Sequence, residues 1–127
     1  MQKEYRVKKS QEIETIMKKG SSKANPHFIV YKYEKSDSNH FRMAISVGKK
    51  VGNAVTRNKV KRRIRAVTTE HKHHMASNYD YFIIARKGVD SLPFDHFKAS
   101  LEQIYKKMGI IPKKDLNSLS TNNSKKS

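Results

Sequence analysis

The segment 48–65, GKKVGNAVTRNKVKRRIR, constrains the fold of this chain more than any other. Its eighteen residues include eight Lys and Arg and no acid. On a helix at roughly 100° per residue, one arc of about 140° would collect the polar side chains of Arg57, Asn58, Lys61, Arg62 and Arg65. Val60, Ile64 and Val67 form a separate apolar stripe. The segment therefore predicts a helix with one edge in a core and its adjoining face turned toward a polyanion, because a guanidinium fork fits phosphate oxygens.

The overall charge points to the same kind of partner. The chain carries 28 basic and 11 acidic residues, a formal net charge of +17, which favours phosphate backbones and salt-dependent affinity. No stretch approaches the ~20 consecutive apolar residues that cross a bilayer, and the N-terminal residues lack the apolar run of a secretory signal. Cysteine is absent, as suits a reducing compartment. We therefore expect a cytoplasmic nucleic-acid-binding protein with no membrane partner and no small-molecule ligand.

Apolar periodicity predicts three helices and three strands in one domain over residues 1–112, followed by a disordered polar tail over 113–127. In chain order they are a helix over Ser10–Lys19, strands over 27–33 and 41–47, the basic helix over Ala54–Glu70, a strand over Tyr79–Ala85, and a helix from Leu92 to Met108. The order α-β-β-α-β-α predicts an α+β two-layer sandwich whose mixed sheet contains a parallel β-α-β crossover. The first two strands are expected to pair as a hairpin.

Local signals predict how the first and last helices end and pack. Ser10 is the expected N-cap of the first helix, and Gly20 is expected to end it in a left-handed conformation. Pro93 suits the first turn of the last helix. The core stripe of that helix is predicted to be Phe94, Phe97, Leu101, Ile104 and Met108.

Two other sequence features could indicate a binding site, but we interpret both as structural. His71, His73 and His74 follow the basic helix without a carboxylate cluster, and we interpret them as a solvated helix exit. Gly48 and Gly52 are interpreted as turn glycines, because the Gly-Lys-Ser/Thr ending of a nucleotide-binding loop is missing. The sequence therefore predicts no metal site in the protein itself.

The run Arg57-Asn58-x-x-Lys61-Arg62-x-x-Arg65 resembles the signature of the bacterial ribonuclease P protein component. The lead-in Lys49–Val55 and the run Ile83–Arg86, IIAR, are similar to the same family, as are the chain length and the order of elements. The resemblance covers about residues 5–108 and is most specific in the block Lys49–Arg65.

This resemblance implies a small domain that binds a large catalytic RNA and helps it remove the 5′ leader of precursor tRNA. It implies that the chemistry belongs to the RNA and its bound Mg²⁺, so that the protein is a noncatalytic subunit of an endoribonuclease and holds no metal alone. It also implies a left-handed β-α-β crossover in place of the usual right-handed one.

Two sets of RNA-binding residues also follow from the resemblance. The catalytic RNA and the cleavage site are expected to be contacted by Arg57, Asn58, Lys61, Arg62, Arg65, Lys49, Lys50 and Asn53. The single-stranded leader is expected in a cleft between the first helix and the sheet, lined by Ile13, Met17, Phe28, Val30 and Tyr31. Family members often carry aromatic residues where this chain has Ile13 and Met17, and aliphatic side chains do not stack on bases.

Two functions of other classes stay open. A stand-alone RNA-binding module such as a ribosomal-type protein, or a DNA-binding regulator, would use the same basic helix to meet nucleic acid. An autonomous nuclease would need paired carboxylates that hold metal ions, whereas the eleven acids of this chain are scattered and none lies in the basic segment.

Overall fold

The computed structural model describes residues 5–7, 9–35 and 40–112. In that part of the chain lie α1 (Ser10–Lys19), β1 (Ser21–Ala24), β2 (Phe28–Glu34), β3 (Arg42–Val47), α2 (Ala54–Glu70), β4 (Tyr79–Ala85) and α3 (Phe94–Lys107). Short 3-10 turns follow α2 at Lys72–His74 and β4 at Val89–Ser91. The predicted tail, 113–127, lies outside the described residues.

The four strands form one mixed sheet in the order β1-β2-β4-β3. The predicted hairpin is wrong, because β2 and β3 both pair with β4, antiparallel and parallel respectively. β4 takes the centre because its run Tyr81, Phe82 and Ile83 is buried on both faces, as an interior strand requires. The parallel β3-α2-β4 crossover and the α+β class are confirmed, and the hand of the crossover stays a prediction.

The strand β1 was missed, since no strand was predicted between the first helix and residue 27. Its four residues, SSKA, are all exposed and carry no apolar alternation. It forms an antiparallel edge that pairs Ser21 with Lys32 and Ala24 with Ile29. β1 is therefore held by its backbone pairing with β2, and such pairing leaves no pattern in the side chains.

The main core lies between the sheet and the helices α2 and α3. The predicted α2 stripe of Val60, Ile64 and Val67 is fully buried. The α3 stripe is confirmed at four of its five positions, while Phe94 is 40% exposed. Tyr105, which the stripe omitted, is buried and shares a 2.7 Å hydrogen bond with the Thr68 hydroxyl. A smaller apolar cluster under α1 covers part of the opposite face of the sheet; its buried members are Val7, Ile16, Ala44 and Phe82.

The α1 bounds are confirmed, but both of its ends differ from the prediction. Lys9 occupies the N-cap position, and Ser10 is the first helical residue. Gly20 is extended, with φ −80°, and is not left-handed. A Cβ at Gly20 would lie 2.4 Å from the Lys32 carbonyl oxygen and 2.5 Å from that of Ile16. The glycine is therefore required by the close approach of α1 to β2.

The start of α3 also differs slightly from the prediction. Pro93 is its N-cap rather than a first-turn residue, because the 3-10 turn at Val89–Ser91 occupies the preceding residues. Among the described helices, none is both long and apolar enough to cross a membrane.

Candidate nucleic-acid interface

The basic helix α2 begins directly after a well-anchored loop. Val51 is buried and holds the loop against the core. The Asn53 side-chain oxygen accepts a 2.9 Å hydrogen bond from the Thr56 backbone N–H, so this residue is the N-cap of α2. Lys49 and Lys50, predicted to contact RNA, are both exposed in the loop. Asn53 is exposed as well, but its side-chain oxygen already accepts the hydrogen bond that caps α2.

The five polar side chains of the predicted arc all reach solvent. Asn58 and Arg62 are exposed, whereas Arg57, Lys61 and Arg65 are half-buried because they border the apolar stripe. The Nε of Arg57 is buried and has no hydrogen-bond partner within the described residues. A buried donor without a partner costs free energy. The arc presents four cationic side chains and the Asn58 amide on one surface of α2.

A cation from outside α2 joins the arc at its C-terminal end. Arg62 and Arg65 line an open cavity of about 500 Å³ together with Arg6. Burial, and then the positive charge of Arg6, lower the pKa of the Arg65 guanidinium. The N-terminal segment reaches this position because Arg6 forms a parallel bridge with Met43 of β3. Sequence reasoning missed Arg6, which no periodic signal ties to α2.

Not every cation of α2 belongs to this surface. Arg63 points toward α3, where its Nη1 donates a 3.2 Å hydrogen bond to the Leu92 carbonyl. Its guanidinium also lies 5.8 Å from the ring centroids of both Phe94 and Phe97. Arg63 therefore fastens α2 to the start of α3, and its contacts explain why Phe94 can stay partly exposed.

The opposite face of the sheet, which α1 partly covers, is the predicted leader cleft. Ile13 and Tyr31 are half-buried there, and Met17 is 44% exposed. The Tyr31 ring stacks on Phe82 at 6.0 Å between centroids. Ile13 and Tyr31 are brought together on one face with Tyr33 and Ile84, whereas Met17 is not a member of this cluster.

Phe28 and Val30 are not part of that face, so the prediction that they line the cleft is wrong. Both are fully buried in the main core between the sheet and α2 and α3. Successive side chains of a strand point to opposite faces. Because Tyr31 faces α1, its neighbour Val30 and the residue Phe28 must face the other way.

Strand register shows how the α1 face continues toward the basic loop. Ile29 pairs with Ile84, and Ile84 pairs with Ser46. All three are half-buried and form one row across β2, β4 and β3. Since Ser46 lies one residue before the end of β3, the row leads directly into the loop that carries Lys49 and Lys50. The α1 face and the first turn of α2 therefore adjoin the same end of the sheet.

An ionic cluster holds α1 on the sheet. Arg42 of β3 donates hydrogen bonds of 3.1 and 2.9 Å to the Asp80 carboxylate and one of 2.7 Å to Glu12 of α1. The hydrogen bond from Arg42 lowers the pKa of the Glu12 carboxyl, and the Asp80 and Glu12 carboxylates raise the pKa of Arg42. The position of α1 on the sheet therefore depends on this charged clasp as well as on apolar packing.

The histidines after α2 correct one interpretation. His71 is buried and its Nε2 lies 2.5 Å from a Glu102 carboxylate oxygen, so it is not part of a solvated exit. The 3-10 turn that follows brings the ring beneath α3. No group of three or more His, Cys, Asp or Glu in the described ranges is arranged to hold a metal ion.

A small α+β domain with a cationic helix that carries no acid before its last residue, beside an aromatic-lined sheet face, defines a class of protein that binds polyanionic strands. The family model Ribonuclease P matches residues 1–109. Ribonuclease P protein components of Bacillus cereus (strain B4264) and Bacillus anthracis (strain CDC 684 / NRRL 3495) are 42% and 43% identical over 110 residues, 87% of this chain and 96% and 92% of theirs.

Solved structures agree with the sequence relatives. The RNase P protein of Staphylococcus aureus superposes with a TM-score of 0.79 at 42% identity, over 84% of this chain and 96% of that one. The protein from Thermotoga maritima gives a TM-score of 0.71 at 26% identity, over 80% and 96% of the two chains. The chain belongs to the ribonuclease P protein component family, and it is thus an RNA-binding part of a tRNA-processing endoribonuclease holoenzyme.

Proposed function

We propose that this chain is the noncatalytic subunit of ribonuclease P, which binds the catalytic RNA through the α2 arc and the 5′ leader of precursor tRNA along the α1 face. The observation that carries this proposal is the continuity of the two surfaces. The row of Ile29, Ile84 and Ser46 runs from the α1 face to the loop of Lys49 and Lys50. One strand of RNA can therefore touch both surfaces.

The chemistry that the protein contributes is positioning. Arg62 and Lys61 neutralise phosphates and release counterions, which supplies affinity without reading sequence. On the α1 face, the half-buried Tyr31 offers a ring that a base can stack on, worth about 1–3 kcal/mol. Ile13 and Met17 add apolar contact. Holding the leader at one end fixes the cleavage site relative to the catalytic RNA, and such orientation lowers the entropic part of the barrier.

Mg²⁺ does not fit the donor set of this surface. The ion prefers carboxylate oxygens and retained water, but α2 contributes no acid before Glu70, which pairs with Lys98 at 2.6 Å. Glu12 and Asp80 are engaged by Arg42. We propose that Mg²⁺ in the holoenzyme is bound mainly by the RNA, and we assign no step of the reaction to an ion held by this chain.

Reconstitution tests the proposal. The full chain would be mixed with a bacterial ribonuclease P RNA, and cleavage of a precursor tRNA would be followed at low Mg²⁺. We expect cleavage at the mature 5′ end only when both components are present. Protein that binds RNA but leaves the cleavage rate unchanged would favour the stand-alone RNA-binding module. Cleavage by the protein alone would favour the autonomous nuclease.

The leader contact needs a separate comparison. Wild type and Tyr31→Ala would be tested for affinity to precursor tRNA and to mature tRNA in complex with the catalytic RNA. We expect Tyr31→Ala to weaken binding of the precursor and to leave binding of the mature tRNA unchanged. Equal losses for both tRNAs would place the leader elsewhere.

A further inference from the structure

The helix α1 is attached to the sheet along one row of residues, here called the anchor row. Its members Glu12, Ile16 and Gly20 follow one another at intervals of four, so they lie on one side of the helix. The Glu12 carboxylate accepts a 2.7 Å hydrogen bond from Arg42 of β3, and Ile16 is fully buried. Gly20 lies so close to β2 that an added Cβ would stand 2.4 Å from the Lys32 carbonyl oxygen. The anchor row therefore crosses the sheet from β3 to β2.

Two residues that we assign to leader contact form a second row beside the anchor row. Ile13 and Met17 each follow an anchor residue by one position, which places them about 100° further round the helix. Ile13 is half-buried and Met17 is 44% exposed. Because both rows belong to one helix, a rotation of the anchor row turns Ile13 and Met17 by the same angle. The surface that α1 offers to a strand of RNA therefore depends on how the anchor row is held.

The ionic contact of the anchor row is its most directional one. Ile16 is the one buried residue of α1, and apolar packing does not favour a particular direction. Arg42 is itself fixed, because its Nε and Nη2 donate hydrogen bonds of 3.1 and 2.9 Å to the two oxygens of the buried Asp80 carboxylate. Such bidentate pairs are geometrically specific. Nη2 therefore meets Glu12 in a defined direction, and this contact sets the rotation of the first turn of α1.

We propose that Arg42 is a positioning residue for the 5′ leader of precursor tRNA, and that it acts by holding Glu12. Their hydrogen bond sets the rotation of α1 at which Ile13 and Met17 meet the strand. This inference rests on the proposed function, because it requires that the leader lies on the α1 face. It deepens that function by assigning part of the affinity for the leader to two charged residues that do not touch the leader themselves.

Two glutamates of α1 provide a matched pair of variants. Glu12 bonds Arg42, whereas Glu14 is exposed and lies outside the clasp. Glu12→Ala and Glu14→Ala remove the same side chain and raise the net charge equally, which by itself favours RNA binding. A loss of affinity in Glu12→Ala alone would thus run against the change in charge and would report positioning.

Affinity for precursor tRNA and for mature tRNA would be measured with a bacterial ribonuclease P RNA saturated by the full chain. We expect Glu12→Ala to weaken binding of the precursor about threefold or more and to change binding of the mature tRNA less than about twofold. We expect Glu14→Ala to change either affinity less than about twofold. Thermal unfolding would verify that both variants are folded, and Glu12→Gln is the milder variant to use if Glu12→Ala is not.

A double-variant cycle tests whether the clasp acts through α1. Met17→Ala removes one proposed leader contact at an exposed position. If the clasp positions this side chain, Glu12→Ala should cost less precursor affinity in the Met17→Ala protein than in wild type. Losses that add in full would contradict the inference, because residues that act independently give additive effects.

Tyr31→Ala in the same assay separates a failure of this inference from a failure of the proposed function. If Tyr31→Ala weakens only the precursor while Glu12→Ala matches Glu14→Ala, the leader lies on the α1 face and Arg42 does not position it. Equal losses of precursor and mature tRNA in Glu12→Ala would also overturn the inference. If neither Tyr31→Ala nor Glu12→Ala distinguishes the two tRNAs, both proposals are wrong.

Discussion

At the scale of single residues, neighbouring positions on α2 have opposite roles. Arg62 is exposed on the cationic arc, while Arg63 bonds the Leu92 carbonyl and Ile64 is fully buried. A basic residue in this segment is therefore not automatically an RNA ligand. Its angular position on the helix decides whether it meets solvent, α3 or the core.

The pair Arg62→Ala and Ile64→Ala separates binding from stability. Arg62→Ala is expected to weaken RNA binding without lowering the melting temperature. Ile64→Ala is expected to cost about 2–5 kcal/mol of unfolding free energy, because it empties a closed core position. Urea unfolding and anisotropy titrations measure the two effects. A neutral Ile64→Ala would contradict the packing described for α2.

Two glycine variants test how closely α1 approaches β2. Gly20→Ala is expected to destabilise the protein by about 1–3 kcal/mol, because its Cβ would meet two backbone oxygens within 2.5 Å. Gly48→Ala is the control, since a Cβ there would meet nothing within 4 Å and its φ is not positive. Equal melting temperatures for the two variants would show that α1 can move away from β2 at no cost.

At the scale of elements, α1 is attached to the sheet by a small apolar contact and by an ionic cluster. Ile16 is its one buried residue, and the clasp of Glu12, Arg42 and Asp80 joins it to β3 and β4. Lowering the pH should therefore weaken the attachment of α1 before that of the other elements. Because α1 forms one wall of the proposed leader cleft, its attachment matters for function as well as for stability.

Glu12→Gln tests the clasp through pH. The pKa of Glu12 is lowered below its ordinary value of 4.5 in the folded protein, so its contribution to stability is complete above that value and is lost as the pH falls below it. We expect wild type to lose more stability than Glu12→Gln between about pH 5 and about pH 3. Urea unfolding across this range measures the difference. Glu14→Gln, on the same helix but outside the clasp, should keep the wild-type pH dependence.

The helices and strands with strong periodicity were predictable from sequence. The bounds of α1, α2 and β4 match the prediction because apolar spacing or a continuous apolar run marks each of them. The predictions that failed concerned which strands pair and which face of the sheet a residue occupies. The four residues of β1 carry no side-chain signal, and the choice of β4 rather than β3 as partner of β2 depends on which strand gains most burial across the whole sheet. Phe28 and Val30 were misplaced for the same reason, because strand alternation gives two faces but does not say which one α1 covers.

At the scale of the whole molecule, positive charge runs along α2 from one end of the sheet to the other. The loop of Lys49 and Lys50 follows the end of β3, whereas Arg62 and Arg65 share a cavity with Arg6, which bridges Met43 near the start of β3. A small protein with a net charge of +17 can therefore bridge separate segments of RNA. Salt dependence of binding is the property that reports both ends together.

Ionic strength gives a quantitative test of this arrangement. Each single-strand phosphate contact contributes about −0.7 to the slope of log K against log salt. Arg62→Ala and Lys50→Ala are each expected to make the slope of precursor tRNA binding less steep by about that amount, and the double variant by about twice as much. A double variant no different from either single one would show that Lys50 and Arg62 contact the same phosphate.

The strand order β1-β2-β4-β3 also has a consequence for synthesis. β2 ends at Glu34 and β3 at Val47, yet neither has a sheet partner on its inner side until Tyr79–Ala85 has been made. A ribosome adds about 5–20 residues per second, so about 1–3 s pass between the translation of the last residue of α2 and that of the last residue of β4, the strand that joins β2 to β3. Sheet closure across such long sequence separations is slow. The acid-free basic segment 48–65 thus emerges, before the sheet that supports it is complete, beside the RNA-rich surface of the ribosome.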